Sequence, residues 1–201
     1  MNDHPNPGIP AYPSLWLLRH GQTEWSKSGQ YTGRTDLDLT ETGVRQAEEA
    51  GDRIRAMGLH FDLVLSSPMS RAQRTAELAG LGDPEIVDDA REWDYGDYEG
   101  LRSADLRKEN PSYVLWDSGV PNGETLAEVG ARADRIIERV RSEVPGGGNA
   151  VLVAHGHFSR ILAARWIGLD PVHGRNFLLE TARLCHLGWD KRDPAIQGWG
   201  L

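Results

Sequence analysis

The sequence predicts an α/β fold with a mainly parallel central sheet. Three short apolar runs each lead into a polar loop, and segments with helical spacing lie between them, an alternation that is typical of βα units. The runs are continuously apolar, as expected for strands that are buried on both faces. Because 201 residues are ordinary for one hydrophobic core, we expect a flexible N-terminal tail over residues 1–13 and a single domain over residues 14–201.

The elements follow from local spacing. Strands are predicted at Leu15–Leu18, Phe61–Leu65 and Ala150–Ala154, with a late strand over Arg183–Trp189. The predicted helices are Ser70–Leu78, Phe158–Ile167, a segment with Val44, Ala47, Gly51 and Ile54 on one face, and a segment that starts at Asn122 or Gly123 and carries Leu126, Val129, Ala133, Ile136 and Val140 on one face. Gly146–Gly148 is predicted to be a surface turn, not a domain boundary.

Polar residues follow the first three strands. Ligands bind outside the carboxyl ends of the strands in open α/β sheets, so neighbouring strands would bring Arg19, His20, Arg71 and His155 to one mouth. In the block Arg19–Thr23, an arginine neutralises a phosphate through its fork of donors, a glycine lets the backbone approach, and a neutral imidazole can attack phosphorus. A strand-end turn with a solvated arginine and a hydrogen-bonded histidine is the alternative.

Two further motifs contribute to this mouth. Pro68 favours a helix start, which puts Arg71 in the first turn, near free backbone N–H groups and the positive end of the helix dipole. Arg74 lies one turn later and either supports the site or pairs with Glu77, and a charged surface helix is the alternative for the whole segment. His155 is a candidate second imidazole, against a structural turn histidine. The H-x-H spacing has no matching Cys or Asp/Glu cluster, so we expect no metal.

The segment Arg91–Gly100 is dense in acids and aromatics. A carboxylate among aromatic groups has its proton affinity raised, which suits a general acid. The four acids that compete for this role are Glu92, Asp94, Asp97 and Glu99, and the physics of the sequence does not choose among them. A polar loop whose Tyr and Trp side chains pack on the core is the alternative.

Composition excludes several classes of function. Lys and Arg number 22 against 30 Asp and Glu, a net charge of −8, so we expect no nucleic-acid partner, although a local arginine cluster permits an anionic substrate. No apolar run approaches the roughly 20 residues that span a bilayer, so we expect no membrane partner. Cys185 is alone and the N-terminus does not resemble a secretory signal, so we expect a cytoplasmic protein. Homo-oligomer formation stays open, because Trp166, Trp189 and Trp199 fit either a core or an interface.

Together the motifs resemble the histidine phosphatase superfamily, with its phosphoglycerate mutase-like fold. The likeness runs from Leu15 to about Leu187 and has four pieces in the family's order: the Arg-His-Gly block, the Ser-Pro-x-x-Arg-Ala-x-x-Thr-Ala helix, the acid-x-x-Tyr-Gly segment with Glu-Gly after it, and the late His-Gly. The resemblance implies a three-layer αβα architecture and a single phosphatase domain.

The resemblance also implies roles for individual residues. The family's phosphate pocket falls on Arg19, His20, Arg71 and His155, with His20 phosphorylated, and its proton donor falls on Glu92. Further contacts to substrate are expected from Gln22, Thr23, Ser26, Thr32, Gly33, Gly156 and His157, whereas Arg74 is expected to lie behind the site.

Within the superfamily, the segments Arg19–Gly33 and Arg91–Gly100 are similar to fungal sedoheptulose-1,7-bisphosphatase and to actinobacterial broad-specificity acid phosphatases. Phosphoglycerate mutases are less similar, because Gly100 to Pro121 lacks their long lysine-containing insertion and Ser26 replaces their Asn. We therefore predict a hydrolase of the histidine acid phosphatase type. It would act without cofactor or metal on a small phosphorylated metabolite, such as a sugar bisphosphate, through a phosphohistidine. A mutase, or a phosphoprotein-binding module with incidental catalysis, is the alternative.

Overall fold

The computed structural model describes residues 11–201, and residues 1–10 of the predicted tail lie outside them. The strands are β1 (Ser14–Arg19), β2 (Leu63–Ser66), β3 (Glu85–Ile86), β4 (Asn149–Ala154), β5 (Leu184–Asp190) and β6 (Asp193–Trp199). The α-helices are α1 (Glu24–Ser28), α2 (Glu41–Ala56), α3 (Ser70–Leu78), α4 (Ser103–Glu109), α5 (Leu115–Ser118), α6 (Leu126–Glu143) and α7 (Gly156–Trp166). Short 3-10 helices occupy Asp88–Ala90, Gly96–Tyr98 and Pro171–Asn176.

The six strands form one sheet in the order β3-β2-β4-β1-β5-β6. The pairs among β3, β2, β4 and β1 are parallel, and β5 and β6 are added antiparallel at the other edge. The predicted mainly parallel α/β sheet is confirmed, and β1, β4 and β2 are neighbours. Within residues 11–201, no helix combines the length and the apolar character that crossing a bilayer requires.

Helices cover both faces of the sheet. Leu15 and Leu17 of β1 belong to the hydrophobic cluster that includes buried residues of α6 and α7. Trp16 and Leu18, which point to the opposite face, belong to a second cluster with buried residues of α2 and α3. This arrangement gives the expected three layers. Trp166 is 1% exposed and lies in the first cluster, so it is a core residue of this chain.

One long helix begins where it was predicted and another begins later. The helix α3 starts at Ser70, as predicted, and Asp36 from a distant loop accepts hydrogen bonds from the backbone N–H and the hydroxyl of Ser70 at 3.0 and 2.8 Å. The helix α6 starts after Thr125, whose hydroxyl accepts from the N–H of Glu128 in a capping box. The predicted start at Asn122 or Gly123 is wrong, because both residues precede the N-cap Thr125 and Asn122 has φ of 56° in the preceding turn.

Other elements also differ from the predictions in where they begin or in whether they were predicted. The helix α7 begins at Gly156, two residues before the predicted Phe158, because the N–H of Ser159 already donates to the carbonyl of His155. The strand β6 was not predicted: its residues are mixed in character, and it is an edge strand in which Pro194 is tolerated. Gly146–Gly148 does form the turn between α6 and β4 that the sequence indicates.

Candidate active site

The strand order places two histidines side by side. The strands β1 and β4 pair in parallel with Arg19 opposite Ala154, so His20 and His155 follow neighbouring strand ends. The N–H of His20 donates to the carbonyl of Ala154 at 2.9 Å. Ser67 follows β2, on the other side of β4, and its hydroxyl lies 2.7 Å from Nε2 of His155. The centroids of the two imidazole rings are 5.2 Å apart, so the predicted convergence of these residues is present.

His20 is held in one tautomer. Its Nδ1 lies 2.7 Å from the carbonyl oxygen of Gly21, and because a carbonyl only accepts, Nδ1 carries the proton in the neutral ring. Burial, followed by the charges of Arg71 and Arg19, holds the pKa of His20 well below its ordinary value. The ring is therefore neutral at physiological pH. The ring lines a cavity of about 390 Å³, and in this tautomer its Nε2 carries no proton.

His155 is completely buried and is the N-cap of α7. Its pKa is also held well below the ordinary value, by burial first and then by Arg71, His20 and Arg19. Nδ1 of His155 has no hydrogen-bond partner within residues 11–201. A buried polar atom without a partner is costly, and such atoms are candidates for contact with a ligand.

Two arginines supply positive charge beside these rings. Arg71 is fully buried in the first turn of α3, where Nη1 donates to the carbonyl of Thr35 at 2.9 Å and Nη2 lies 3.3 Å from two further carbonyls of the same loop. Nη1 of Arg19 donates to the carbonyl of Leu179 at 2.5 Å. In the described part of the chain, Nε of both arginines lacks a partner. Burial lowers the pKa of both guanidiniums, yet from so high a starting value that they keep their charge.

Glu92 brings a carboxyl to the same cavity. Its Oε1 accepts from the N–H groups of Trp93 and Phe158 at 2.9 and 2.8 Å, and Oε2 accepts from the N–H of His157 at 3.0 Å. Two of these donors belong to the first turn of α7, where free N–H groups and the helix dipole favour an anionic partner. Glu92 is 7% exposed.

The other three acids of this segment have structural partners. Asp94 pairs with Arg34. Asp97 accepts from the side chain of Asn122 at 2.9 Å. Glu99 accepts from the N–H groups of Gly33 and Thr35, at 2.9 to 3.0 Å, and so holds the loop whose carbonyls face Arg71. Among the four competing acids, Glu92 alone lines the cavity that contains His20.

The remaining predicted site residues divide into two groups. Those that line the cavity are Ser26, Thr32, Gly156 and His157. Gln22, Thr23 and Gly33 do not, and their contact with substrate stays a prediction. The hydroxyl of Ser26 is used in the capping box of α1, and Arg74 pairs with Glu77 at the surface, at 2.6 Å, as one of the sequence alternatives expects.

His157 is neutral and fixed. Burial, then the charges of Arg160 and Arg19, lowers its pKa to about 3. Burial and the charge of Glu92 raise the pKa of Tyr95 well above its ordinary value, so its hydroxyl stays protonated, and it is hydrogen-bonded to Nδ1 of His157 at 2.6 Å. The ring of His157 also lies against those of Trp93 and Trp116.

Sequence reasoning missed the outer part of the cavity, which is lined by Gln30, Tyr31, Ser103, Arg107, Trp116 and Arg160. Arg160 donates to the carbonyls of Gly174 and Arg175 at 3.0 Å each and lies 4.9 Å from the centroid of the Trp116 ring. Its spacing of three from His157 on α7 is the one local signal for its position. Within residues 11–201, no three His, Cys, Asp or Glu side chains are grouped so as to hold a metal ion.

The fold and the site together define an α/β protein with a cationic, strand-end cavity that suits an anionic ligand. The chain belongs to the histidine phosphatase superfamily (branch 1), whose family model matches residues 15–201. The predicted family and the phosphoglycerate mutase-like fold are thereby confirmed.

Similar proteins carry phosphatase and mutase names. An acid phosphatase of Mycobacterium tuberculosis is 40% identical over 186 residues, covering 92% of this chain and 91% of that protein. Sedoheptulose 1,7-bisphosphatase of Saccharomyces cerevisiae is 38% identical, covering 78% and 68%. A 2,3-bisphosphoglycerate-dependent phosphoglycerate mutase of Mesorhizobium japonicum is 37% identical, covering 74% and 79%. The solved structure of the open reading frame Rv3214 of Mycobacterium tuberculosis superposes with a TM-score of 0.89 at 39% identity, covering 94% and 97%. The family and these relatives indicate phosphatase activity.

Proposed function

We propose that the protein is a metal-independent phosphatase that hydrolyses phosphomonoesters of sugars or other small metabolites through a phosphohistidine on His20. One observation carries the proposal: the hydrogen bond from Nδ1 of His20 to the carbonyl of Gly21 leaves Nε2 unprotonated on a ring that lines the cavity with Arg19 and lies within reach of the charge of Arg71. An imidazole fixed in this tautomer is a nucleophile that needs no prior loss of a proton.

In the first step, the lone pair of Nε2 attacks phosphorus and the bond from phosphorus to the ester oxygen breaks. Arg19 and Arg71 stabilise the charge on the equatorial oxygens, and His155, whose Nδ1 has no hydrogen-bond partner within residues 11–201, donates from that atom to one of them. Glu92, in its protonated form, gives its proton to the leaving alkoxide.

In the second step, Glu92 takes a proton from water while the water oxygen attacks phosphorus. The bond from nitrogen to phosphorus breaks, and its electron pair returns to Nε2 of His20. Inorganic phosphate then leaves, and Glu92 is protonated again for the next cycle. Each residue therefore returns to its starting state without a cofactor.

The residues of the outer cavity are an argument for a substrate with a second anionic group. Arg107 and Arg160 line it, and neither forms an ion pair with a carboxylate in the described part of the chain. A sugar bisphosphate has the required second charge, and hydroxyl groups for Ser103 and Gln30. We expect Arg160→Met to raise KM for a sugar bisphosphate more than for a sugar monophosphate. An equal rise in KM for both substrates would argue against a substrate with a second anionic group.

The reaction is tested by turnover of p-nitrophenyl phosphate. His20→Ala should abolish turnover, whereas the matched control His60→Ala, at an exposed histidine, should keep it. A rapidly quenched reaction should show phosphate on the peptide that contains His20. Phosphate trapped on another residue would refute His20 as the nucleophile. Equal turnover by wild type and His20→Ala would refute the proposal and favour a binding module with incidental catalysis.

A mutase is the second candidate, because relatives named phosphoglycerate mutase match this chain at 37% identity. A mutase must keep water away from its phosphorylated intermediate, whereas a phosphatase must admit it. Assays with 3-phosphoglycerate and a bisphosphoglycerate primer separate the two. We expect release of inorganic phosphate, and conversion to 2-phosphoglycerate without release would favour the mutase.

A further inference from the structure

Arg132, on α6, uses every donor of its guanidinium. Nε and Nη2 donate to the two carboxylate oxygens of Glu124 at 2.7 Å each. Nη1 donates to the carbonyls of Asp89 and Arg91 at 2.6 and 2.9 Å, and the second Nη2 proton points to the carbonyl of Glu92 at 3.3 Å. An arginine has five such N–H groups, so none is left for solvent or ligand.

Glu124 continues this network on the other side of Glu92. Its Oε2 accepts from the N–H of Asp94 at 3.0 Å, and its carbonyl accepts from the indole N–H of Trp93 at 2.8 Å. The side chains of Arg132 and Glu124 are 12% and 24% exposed, so solvent screens their interaction only in part. The pair therefore fixes peptide groups both before and after Glu92.

The same arginine also contacts the helix that holds the Glu92 carboxyl. Its guanidinium carbon lies 5.0 Å from the centroid of the Phe158 ring, and the N–H of Phe158 donates to Oε1 of Glu92. Arg132 thus packs against both the backbone of Glu92 and the first turn of α7. These two supports set where the carboxyl lies relative to His20.

We propose that Arg132, with Glu124 as its partner, is a positioning residue for Glu92 and sets the efficiency with which the leaving group is protonated. The proposal rests on the function proposed above, in which Glu92 is the proton donor. A catalytic group that is misplaced by about 1 Å can lose on the order of 100-fold in rate. Lysine cannot replace this arginine, because its donors radiate from one atom and lack the planar fork that reaches five acceptors.

If Arg132 only attached this segment to α6, fewer hydrogen bonds than it makes would be enough. Arg135, one turn further along α6, attaches the same segment through an exposed ion pair with the carboxylate of Asp89, at 2.6 Å. Arg132 instead reaches the main chain around the proton donor. Arg135→Lys is therefore a matched control: the same exchange, on the same helix, toward the same segment.

The test compares a good and a poor leaving group. We expect Arg132→Lys to lower kcat for β-glycerophosphate by about tenfold or more, and kcat for p-nitrophenyl phosphate by less than about threefold, because only the alkyl leaving group needs the proton. KM for both substrates and inhibition by inorganic phosphate should stay as in wild type, since the phosphate pocket is not touched. Glu124→Gln should shift the rates in the same direction, and Arg135→Lys should change neither rate.

Glu92→Gln, assayed in parallel, separates this proposal from the proposed function. If Glu92→Gln slows the alkyl ester selectively and Arg132→Lys slows both esters equally or neither, the positioning role is refuted and the proton donor stands. If Glu92→Gln itself slows both esters equally, the proton-donor role fails, and the positioning role fails with it. Circular dichroism shows whether Arg132→Lys is folded at the assay temperature; if it is not, Glu124→Gln is judged by the same criteria.

Discussion

The neutral ring of His157 should make folding stability depend on pH in a way that one substitution reveals. An unfolded histidine has a pKa of about 6.5, whereas burial and the charges of Arg160 and Arg19 lower that of folded His157 to about 3. Below pH 6.5 the unfolded state therefore binds a proton that the folded state does not. Stability contributed by this ring is complete above pH 6.5 and is lost as the pH falls toward 3.

The magnitude follows from the two pKa values. Between pH 7 and pH 5 the unfolded ring changes from mostly neutral to almost fully protonated, while the folded ring stays neutral. The linkage relation then gives a loss of about 2 kcal/mol in the free energy of unfolding from this ring. His20 and His155 also have lowered pKa values and add to the total loss, so the contribution of His157 must be isolated by substitution.

The assay is urea unfolding of wild type and His157→Asn at pH 7 and pH 5. The Asn side chain can hydrogen-bond to the Tyr95 hydroxyl in place of Nδ1, but it does not titrate. The variant loses ring packing and is less stable at both pH values, yet its free energy of unfolding should fall by about 2 kcal/mol less between them. The control His60→Asn removes an exposed ring and should behave as wild type does. An equal pH dependence in wild type and His157→Asn would refute the reasoning.

Three further outcomes are expected. A Cβ added at Gly156 would lie 3.2 Å from the guanidinium carbon of Arg19. Gly156→Ala should therefore displace the Arg19 side chain by a few tenths of an ångström and raise KM for p-nitrophenyl phosphate by up to about tenfold. An unchanged KM would show that Arg19 is not held where it binds phosphate. Burial raises the pKa of the Cys185 thiol to about 12, so a thiol reagent at pH 8 should label it only after unfolding, and stoichiometric labelling of native protein would contradict this burial. Prolonged dialysis against a chelator should leave turnover unchanged, and activity that is lost and then restored by a divalent cation would refute the metal-independent mechanism.

The sheet could be predicted because its signal is local. Leu15–Leu18 and Ala150–Ala154 are continuous apolar runs, and both became central parallel strands. The helix Ser70–Leu78 was predicted with its observed ends, but one contact at its start could not be predicted. Its first turn is stabilised by Asp36, which is far away in sequence, and no local pattern indicates that contact.

The same limit applies to the outer cavity. Arg107 and Arg160 come from α4 and α7, and they share the cavity with Trp116 of α5. Helical spacing relates Arg160 to His157, but nothing in the sequence indicates that α4 folds over the same opening. Since Arg107 and Arg160 would meet the part of a substrate beyond its phosphate, substrate choice is the property that sequence patterns predict least.

The choice among the four acids shows why residue type alone does not define a catalytic carboxyl. Asp94, Asp97 and Glu99 lie within seven residues of Glu92 in the same loop, and each has a carboxyl of the same chemistry. Glu99 is held by N–H groups of the loop at Gly33, whereas Glu92 is held by the first turn of α7, which follows the second histidine. What distinguishes Glu92 is therefore the element that donates to it. Because His155 is the N-cap of that helix, the junction of β4 and α7 holds both a candidate proton donor and a candidate phosphate ligand.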